Sequence, residues 1–259
     1  MLNRSKSRLV PLKIGACKEG RNLQNPAHRI ILALDVPDGK QAERLLSVWD
    51  DGFRPFIKVG YQLFFRVGPE WVARRKEEGY PVFLDLKLHD IPNTVARGIE
   101  SLCRLGVDFV TLHASGGRRM MEKARETVEK EATGSRRMKL LAVTQLTSTD
   151  QQMLHEELGI GEPLGQSVQR LAVLAHRSGM DGVICSGLEV QTVKKATSPE
   201  FLAVTPGIRP AGASAHDQKR VITPDEALKN GADYLVIGRP ITQVPDPKKA
   251  FQELIESIQ

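Results

Sequence analysis

The sequence predicts a single α/β domain folded as a (β/α)8 barrel of the TIM type, in which eight parallel strands alternate with helices. Short apolar runs and stretches of helical periodicity alternate eight times after residue 29, and such alternation is typical of a parallel sheet. The length left for these units, about 230 residues, suits a fold that typically takes ~250. Several apolar runs also end on a polar residue, as expected of a barrel whose chemistry lies at the carboxyl ends of its strands.

The first four strand–helix units are predicted from apolar runs that lead into helical spacing. The first strand ends on Asp35, and the second carries Lys58. The helix after the second strand contains Gly68 and Pro69, where a break is expected because proline lacks a backbone donor. The predicted strands are 29–35, 56–60, 82–88 and 108–113, and the predicted helices are 39–50, 61–78, from Pro92 to about 105, and after Gly116 and Gly117.

The second four units follow the same pattern with two interruptions. Residues 149–164 are polar and are predicted to be an excursion from the barrel. A loop rich in Gly, Ala and Ser runs from 211 to about 222, and Thr223, Pro224 and Glu226 then predict a helix that begins with a capping box. The predicted strands are 139–146, 182–185, 201–204 and 233–237, and the predicted helices are about 166–178, 188–197, from Pro224 onwards and about 247–258.

Composition excludes several classes of protein. The hydrophobic share of 41% and the charged share of 26% are ordinary for a soluble protein, and no apolar run approaches the ~20 residues that a membrane span needs. The cysteines, Cys17, Cys103 and Cys185, form no CxxC or zinc pattern. Their spacing predicts a reduced, cytoplasmic setting and no structural metal.

The net charge of +6 belongs to the amino-terminal segment. Residues 1–29 lack periodicity and carry seven basic residues and one acidic residue, so the rest of the chain is neutral overall. We therefore predict a basic, disordered extension at 1–29, a catalytic barrel domain at 30–259, and no nucleic-acid-binding face on the barrel.

Residues 83–94, with the sequence FLDLKLHDIPNT, place two carboxylates and an ammonium within six residues. Because alternate side chains of a strand share a face, Asp85 and Lys87 are predicted to point one way and the neighbouring leucines the other. Asp90 follows just past the strand. Buried charge is costly unless it is paired, and an Asp/Lys/Asp cluster would hold the lysine charged and aimed. The same pattern also fits a structural ion-pair network at the barrel rim.

The ends of the seventh and eighth strands predict a phosphate site. Gly207 and Gly238 allow a ligand to approach the backbone closely, and Arg209 and Arg239 can each bind phosphate oxygens through two donors. Barrels of this type commonly bind phosphate at these two loops.

Together these features resemble the orotidine 5'-monophosphate decarboxylase family, from about residue 30 to the carboxyl terminus. The Asp-x-Lys-x-x-Asp pattern alone is shared with sister sugar-phosphate enzymes, whereas its continuation at 91–94 and the two arginine turns are more specific. The matching segments are Asp35, 58–60, 85–94, 146–148, 206–209 and 237–240.

The resemblance implies loss of CO2 from C6 of orotidine 5'-monophosphate, which gives UMP in pyrimidine biosynthesis. It implies no metal and no organic cofactor, and a homodimer whose active sites are shared, with Asp90 and Thr94 serving the site of the partner subunit. Lys87 would protonate the C6 carbanion, Asp85 would lie against the substrate carboxylate, and Asp90 and Lys58 would complete the catalytic charges. The implied substrate-binding residues are Asp35 and Lys58 for the ribose, Asp85, Leu86, Lys87, Leu88, His89, Asp90, Ile91, Pro92, Asn93 and Thr94 in the motif, Thr147 for the pyrimidine, Gln218 for base and phosphate, and Arg209, Gly238 and Arg239 for the phosphate.

Three alternatives stay open. A sugar-phosphate enzyme of the same superfamily, such as a keto-gulonate phosphate decarboxylase or a hexulose phosphate synthase, would need Mg²⁺. A nucleic-acid-binding protein would act through the basic extension, and its binding would be sensitive to salt. A non-catalytic scaffold would leave the aligned charges at the strand ends without explanation. His89 and His113 are given no acid–base role.

Overall fold

The computed structural model describes residues 25–49, 52–132, 137–210 and 220–258. Eight parallel strands close into a barrel in sequence order, with β8 paired to β1, which confirms the predicted fold. The strands are β1 Ile30–Ala33, β2 Phe56–Gly60, β3 Val82–Leu88, β4 Phe109–His113, β5 Lys139–Val143, β6 Gly182–Ile184, β7 Leu202–Thr205 and β8 Tyr234–Ile237. The helices are α1 Gly39–Leu46, α2 Tyr61–Glu77, α3 Pro92–Arg104, α4 Arg118–Glu131, α5 Gln151–Glu156, α6 Leu164–Arg177, α7 Val190–Ala196, α8 Pro224–Lys229, α9 Arg239–Thr242 and α10 Pro247–Glu256.

The barrel interior is filled by one apolar cluster, and a second, larger cluster lies between the sheet and the surrounding helices. Four aromatic rings of the inner cluster meet largely edge to face, with centroids 4.9 to 6.0 Å apart: Phe56, Phe83, Phe109 and Tyr234. Side chains alternate along a strand, so the residues two or four positions further on, among them Lys58, Asp85 and Thr111, face the carboxyl end of the same interior. The aromatic layer therefore forms the floor beneath the polar residues.

Three aspartates link neighbouring strands at the opposite, amino end of the barrel. We call Asp108, Asp181 and Asp233 the aspartate clips. Each directly precedes an even-numbered strand and accepts a hydrogen bond from a backbone N–H of the odd-numbered strand before it. The donors are Val82, Leu140 and Ala203, at 2.8, 2.7 and 2.7 Å. Each carboxylate also pairs with a base on the helix that leads into that odd-numbered strand, namely Lys76, Arg125 or Lys194. Every clip thus joins a helix and two strands.

Several predicted boundaries shift in the structure. Residues 25–29, assigned to the extension, instead pack on the barrel: they form a 3-10 helix, Pro26–Arg29, and Arg29 Nη2 donates to the Ala232 carbonyl at 2.5 Å. The polar excursion contains helix α5, which Asp150 caps through the backbone N–H of Met153. The break in α2 is confirmed, because Gly68 has φ 73° and ψ 178°. The rest of the predicted extension and Gln218 lie outside the described residues.

Within the described ranges, no helix is both long enough and apolar enough to cross a membrane.

Candidate active site

A cavity of about 650 Å³ opens at the carboxyl ends of the strands. Its lining brings together polar residues that the sequence places far apart. The predicted site residues among those that line it are Asp35, Lys58, Asp85, Lys87, Thr147, Arg209, Gly238 and Arg239. One end of the barrel therefore collects the charges of β2 and β3 and the arginines that follow β7 and β8.

A row of alternating charges lies along one side of the cavity. Lys58 Nζ is 2.9 Å from Asp35 Oδ1 and 3.5 Å from Asp85 Oδ2, and Lys87 Nζ is 2.9 Å from the same Asp85 oxygen. The side chains of Lys58 and Asp85 are only 10% and 14% exposed, and that of Lys87 is 27% exposed. Each charge in the row has an opposite charge as its neighbour, which is the condition for keeping buried ions charged.

The pairing controls ionisation within the row. Burial alone would raise the pKa of Asp85, but the ammonium groups of Lys58 and Lys87, with hydrogen bonds from Lys87 and Thr111, outweigh it and hold that pKa below its ordinary value. Burial would lower the pKa of Lys58, but the carboxylates of Asp85 and Asp35 raise it above its ordinary value. At neutral pH the row therefore contains an ionised Asp85 and a protonated Lys58.

The backbone of β3 is irregular where it presents Lys87. Its pairing with β4 shifts register between Leu84 and Leu88, and Lys87 has φ 48°, the one positive value among non-glycine residues of the described ranges. The prediction that Asp85 and Lys87 share a face is confirmed by their contact. A bulge in β3, rather than the regular alternation of side chains, brings the two side chains together.

Thr111, in the middle of β4, is a site residue that the sequence analysis missed. Its buried hydroxyl lies 2.9 Å from the backbone nitrogen of Lys87 and 2.9 Å from Asp85 Oδ1. A signal was present, because Thr111 is a polar residue two positions after inward-facing Phe109 in an otherwise apolar strand. Further cavity residues that were missed are Tyr61, Gln62, Gln145, Ser148, Cys185 and Gln243.

The arginines after β7 and β8 form the other polar wall. Arg209 is buried, and its Nη1 donates to the Ile208 carbonyl at 2.8 Å. Gly207 has φ 78°, a conformation that favours glycine. A methyl group built on Gly238 would lie 3.7 Å from Asp35 Oδ2, so glycine keeps open the space beside that carboxylate.

Arg220 anchors the chain that returns from the long loop after β7. Its Nη2 donates to the carbonyls of Leu146, at 2.6 Å, and Gln145, at 3.2 Å, and its Nη1 pairs with Glu189. Gln145 and Leu146 line the cavity beside Thr147. One guanidinium therefore ties together the segments that follow β5, β6 and β7.

Phe83, Asp85 and Lys87 of the 83–94 motif line the cavity of the single chain, and the rest of the motif lies outside it. Leu86 and Leu88 point outward and pack against the cluster between sheet and helices. Asp90 is exposed, and its Oδ1 accepts a hydrogen bond from Ile91 N at 2.6 Å. Within the single chain, Lys58 and Thr111 complete the contacts of Asp85 and Lys87, so the prediction that Asp90 acts from a partner subunit stays a prediction. The other members of the motif outside the cavity are Leu84, His89, Ile91, Pro92, Asn93 and Thr94.

His89 of the motif and His113 at the end of β4 are in ring contact, with their planes tilted by 33°. The ring centroids of His89 and His113 are 5.3 Å apart. Burial, together with the charges of His89 and Lys87, lowers the pKa of His113. The His113 imidazole is therefore neutral at neutral pH, and the pair packs beside the charged row.

Cys185 lines the cavity without the properties of a nucleophile. Burial raises the pKa of its thiol to about 12, so the thiolate that a nucleophile requires is absent at neutral pH. Across the part of the chain that the structure describes, no group of three or more His, Cys, Asp or Glu side chains is arranged to hold a metal ion.

Comparison with known proteins gives a consistent result. Residues 28–254 match the family described as orotidine 5'-phosphate decarboxylase / HUMPS. A Geobacillus thermodenitrificans protein named orotidine 5'-phosphate decarboxylase is 52% identical over 225 residues, which cover 86% of this chain and 94% of that protein. A Lactococcus lactis protein of the same name is 48% identical over 230 residues, 88% of this chain and 97% of its own length. The crystal structure of orotidine 5'-phosphate decarboxylase from Lactobacillus acidophilus is 39% identical, with a TM-score of 0.81, and the match covers 90% of this chain and 99% of that one.

Proposed function

This chain belongs to the orotidine 5'-phosphate decarboxylase / HUMPS family, and on that premise we propose that it removes CO2 from C6 of orotidine 5'-monophosphate to give UMP in pyrimidine biosynthesis. The observation that carries the proposal is the row Asp35–Lys58–Asp85–Lys87, which shares a cavity with Arg209 and Arg239. Alternating charges suit a reaction at a carboxylate, and paired arginines suit a phosphate.

In the proposed reaction, the bond between C6 and the carboxylate breaks and its electron pair stays on C6. Lys87 Nζ then gives a proton to C6, and the neutral amine takes a proton back from water. Loss of CO2 without an electron sink needs charges already in place where charge develops. The ion pair of Lys87 with Asp85 provides a fixed cation at that point, at a separation of 2.9 Å. Asp85 would also lie against the departing carboxylate and crowd it.

The other cavity residues would bind the rest of the substrate. Asp35 and Lys58 are proposed to hold the ribose hydroxyls, and Thr147 the pyrimidine. Arg209, Gly238 and Arg239 would bind the phosphate, with Gln218 bridging the base and the phosphate. Binding energy gained at the phosphate can then favour the transition state at C6, because the two ends of the substrate are held by one rigid barrel.

The first test is the ultraviolet absorbance of orotidine 5'-monophosphate mixed with purified protein, with and without EDTA. We expect the substrate absorbance to decay at equal rates in both tubes, with UMP as product. A sugar-phosphate enzyme that stabilises an enediolate with Mg²⁺ would leave the nucleotide unchanged and act on a sugar phosphate only when Mg²⁺ is present. That outcome would contradict the proposal and favour the Mg²⁺-dependent sugar-phosphate activity.

We further propose a homodimer in which Asp90 and Thr94 serve the site of the partner subunit. Two features support it. Asp90 is exposed and lies outside the cavity of its own chain. An apolar surface lies at the same end of the barrel, where the rings of Tyr61 and Phe65 are 6.2 Å apart and Phe65 is 80% exposed.

Shared sites predict complementation between two inactive variants. In a two-fold dimer each site would combine Lys87 of one chain with Asp90 of the other. Lys87→Ala and Asp90→Ala subunits should each be nearly inactive, whereas a dimer formed from one of each should contain one native site. After subunit exchange at equal amounts, about a quarter of wild-type activity is expected, because half of the dimers are mixed.

The matched control mixes Lys87→Ala with Lys58→Ala. Both residues line the cavity of the same chain, so no mixed dimer has a native site and activity should stay near zero. Equal recovery in the two mixtures, or recovery in neither, would contradict the shared site.

The cytoplasmic setting and the lack of nucleic-acid partners remain predictions from the sequence.

A further inference from the structure

The hydroxyl of Thr111 connects the two residues at the centre of the proposed reaction. Its oxygen lies 2.9 Å from Lys87 N and 2.9 Å from Asp85 Oδ1, and the side chain is completely buried. A backbone N–H can only donate, so the hydroxyl accepts from Lys87. Its single proton is therefore free to be donated to the Asp85 carboxylate.

The backbone at Lys87 needs such a partner. Leu84 pairs with Val110, and Leu88 pairs with Leu112. Three residues of β3 are therefore opposite one residue of β4, and that residue is Thr111. The Lys87 N–H donates its hydrogen bond to the threonine hydroxyl instead of to a backbone carbonyl of the neighbouring strand. The positive φ of 48° at Lys87 is an unfavourable conformation for a residue with a side chain, and it persists only where surrounding contacts enforce it.

We propose that Thr111 is a positioning residue for the decarboxylation, which holds the Lys87 backbone in its left-handed conformation and fixes the orientation of the Asp85 carboxylate. This inference rests on the proposed function. With Oδ1 of Asp85 bound to Thr111, Oδ2 faces the two ammonium groups of Lys87 and Lys58, at 2.9 and 3.5 Å. One buried hydroxyl therefore sets both the position of the acid and the direction of its counter-ion.

The hydroxyl can be removed with little change of shape. Valine matches threonine in volume and β-branching but neither donates nor accepts a hydrogen bond, so Thr111→Val releases both contacts while it fills the same space in β4. The Asp85 carboxylate can then rotate, and Lys87 can relax toward an ordinary strand conformation. Thr111→Ser keeps the hydroxyl and loses only a methyl group, which makes it the matched control.

The experiment measures kcat for orotidine 5'-monophosphate and the Kd for UMP in the wild type and in both variants. We expect Thr111→Val to lower kcat by about 10²-fold, since a misplacement of about 1 Å can cost that factor. The Kd for UMP should change by less than about threefold, because the phosphate contacts lie after β7 and β8 and the product lacks the carboxylate. Thr111→Ser should recover kcat to within about fivefold of the wild type, because its hydroxyl restores the positioning contacts.

Three results would overturn the inference. Thr111→Val could match the wild type in kcat, Thr111→Ser could be as slow as Thr111→Val, or kcat and UMP affinity could fall together as expected of a general loss of structure. If Thr111→Val does not fold, as judged by its melting temperature, Thr111→Ala removes the same hydroxyl without adding a buried methyl group beside the carboxylate. A wild type that leaves orotidine 5'-monophosphate unchanged would instead reject the proposed function itself, which separates the two failures.

Discussion

Replacement of Lys87 by alanine is expected to lower kcat by about 10⁴-fold or more while the barrel stays folded. The substitution removes the only group proposed to protonate C6, and proton transfer by a positioned side chain is commonly worth about 10² to 10⁴. It also removes a fixed cation from the developing charge. The fold should tolerate the change because Asp85 keeps Lys58 at 3.5 Å and the hydroxyl of Thr111 at 2.9 Å.

The measurement is the rate of substrate decay under saturating conditions, combined with a thermal unfolding curve for each protein. Lys229→Ala is the control, because Lys229 is 72% exposed and pairs with Asp225 on the surface of α8, away from the cavity. Its activity should equal that of the wild type. Wild-type turnover in Lys87→Ala would refute the assigned acid.

Replacement of Arg239 by alanine is expected to lower kcat/KM by about 10³-fold. A guanidinium can bind phosphate through two parallel donors, and the energy of that remote contact would be used at C6. Arg239 begins the short helix α9 directly after β8 and lines the cavity. Its loss removes one of the two arginines of the proposed phosphate site and leaves the charged row of β2 and β3 in place.

The nucleoside orotidine, which lacks the phosphate, makes this test specific. The wild type and Arg239→Ala should differ by about 10³-fold on the nucleotide and by less than about threefold on the nucleoside, since no phosphate remains to be bound. Arg104→Ala, which removes an exposed arginine paired with Glu100 on α3, should leave both substrates unaffected. An equal loss on nucleotide and nucleoside would show that Arg239 acts on the structure of the site rather than on the phosphate.

The sequence was sufficient for the order of the strands and for the charged residues that line the cavity, namely Asp35, Lys58, Asp85, Lys87, Arg209 and Arg239. The alternation of side chains along a strand predicted that Asp85 and Lys87 share a face. The position of Arg209 and Arg239 after adjacent strands predicted that both lie at the same site. These features depend on local periodicity and on one rule of this fold, that the carboxyl ends of its strands meet at one end. Nothing more distant than the next strand was needed to infer them.

The bulge at Lys87 could not be predicted in the same way. Its positive φ arises from a register shift between β3 and β4, which is set by how the closed barrel packs rather than by the residues near Lys87. The role of Thr111 was missed for that reason, because it depends on the Lys87 N–H that the bulge removes from the strand ladder and directs to the threonine hydroxyl. Asp90 is a third case. It is exposed on the single chain, and its proposed role depends on the presence of a second chain.

The smaller differences between the predicted and the observed bounds of strands and helices have local causes. The predicted fifth strand ran to residue 146, but β5 ends at Val143, after which the Thr144 hydroxyl donates to the Ile184 carbonyl at 3.0 Å. Helices α5 and α9 have six and four residues, too few for an apolar stripe to be recognised by its period.

The aspartate clips bear on how a barrel of this kind can evolve. The backbone donors and bases that they bind lie at the amino ends of the strands, and among the described residues none of the clip residues belongs to the cavity lining. Substitutions in the cavity that alter which substrate is bound therefore leave the contacts of the aspartate clips unchanged. The reaction can change during evolution while the stability of the barrel is kept. This separation of stability from chemistry between the two ends of the barrel would let the same fold carry different reactions.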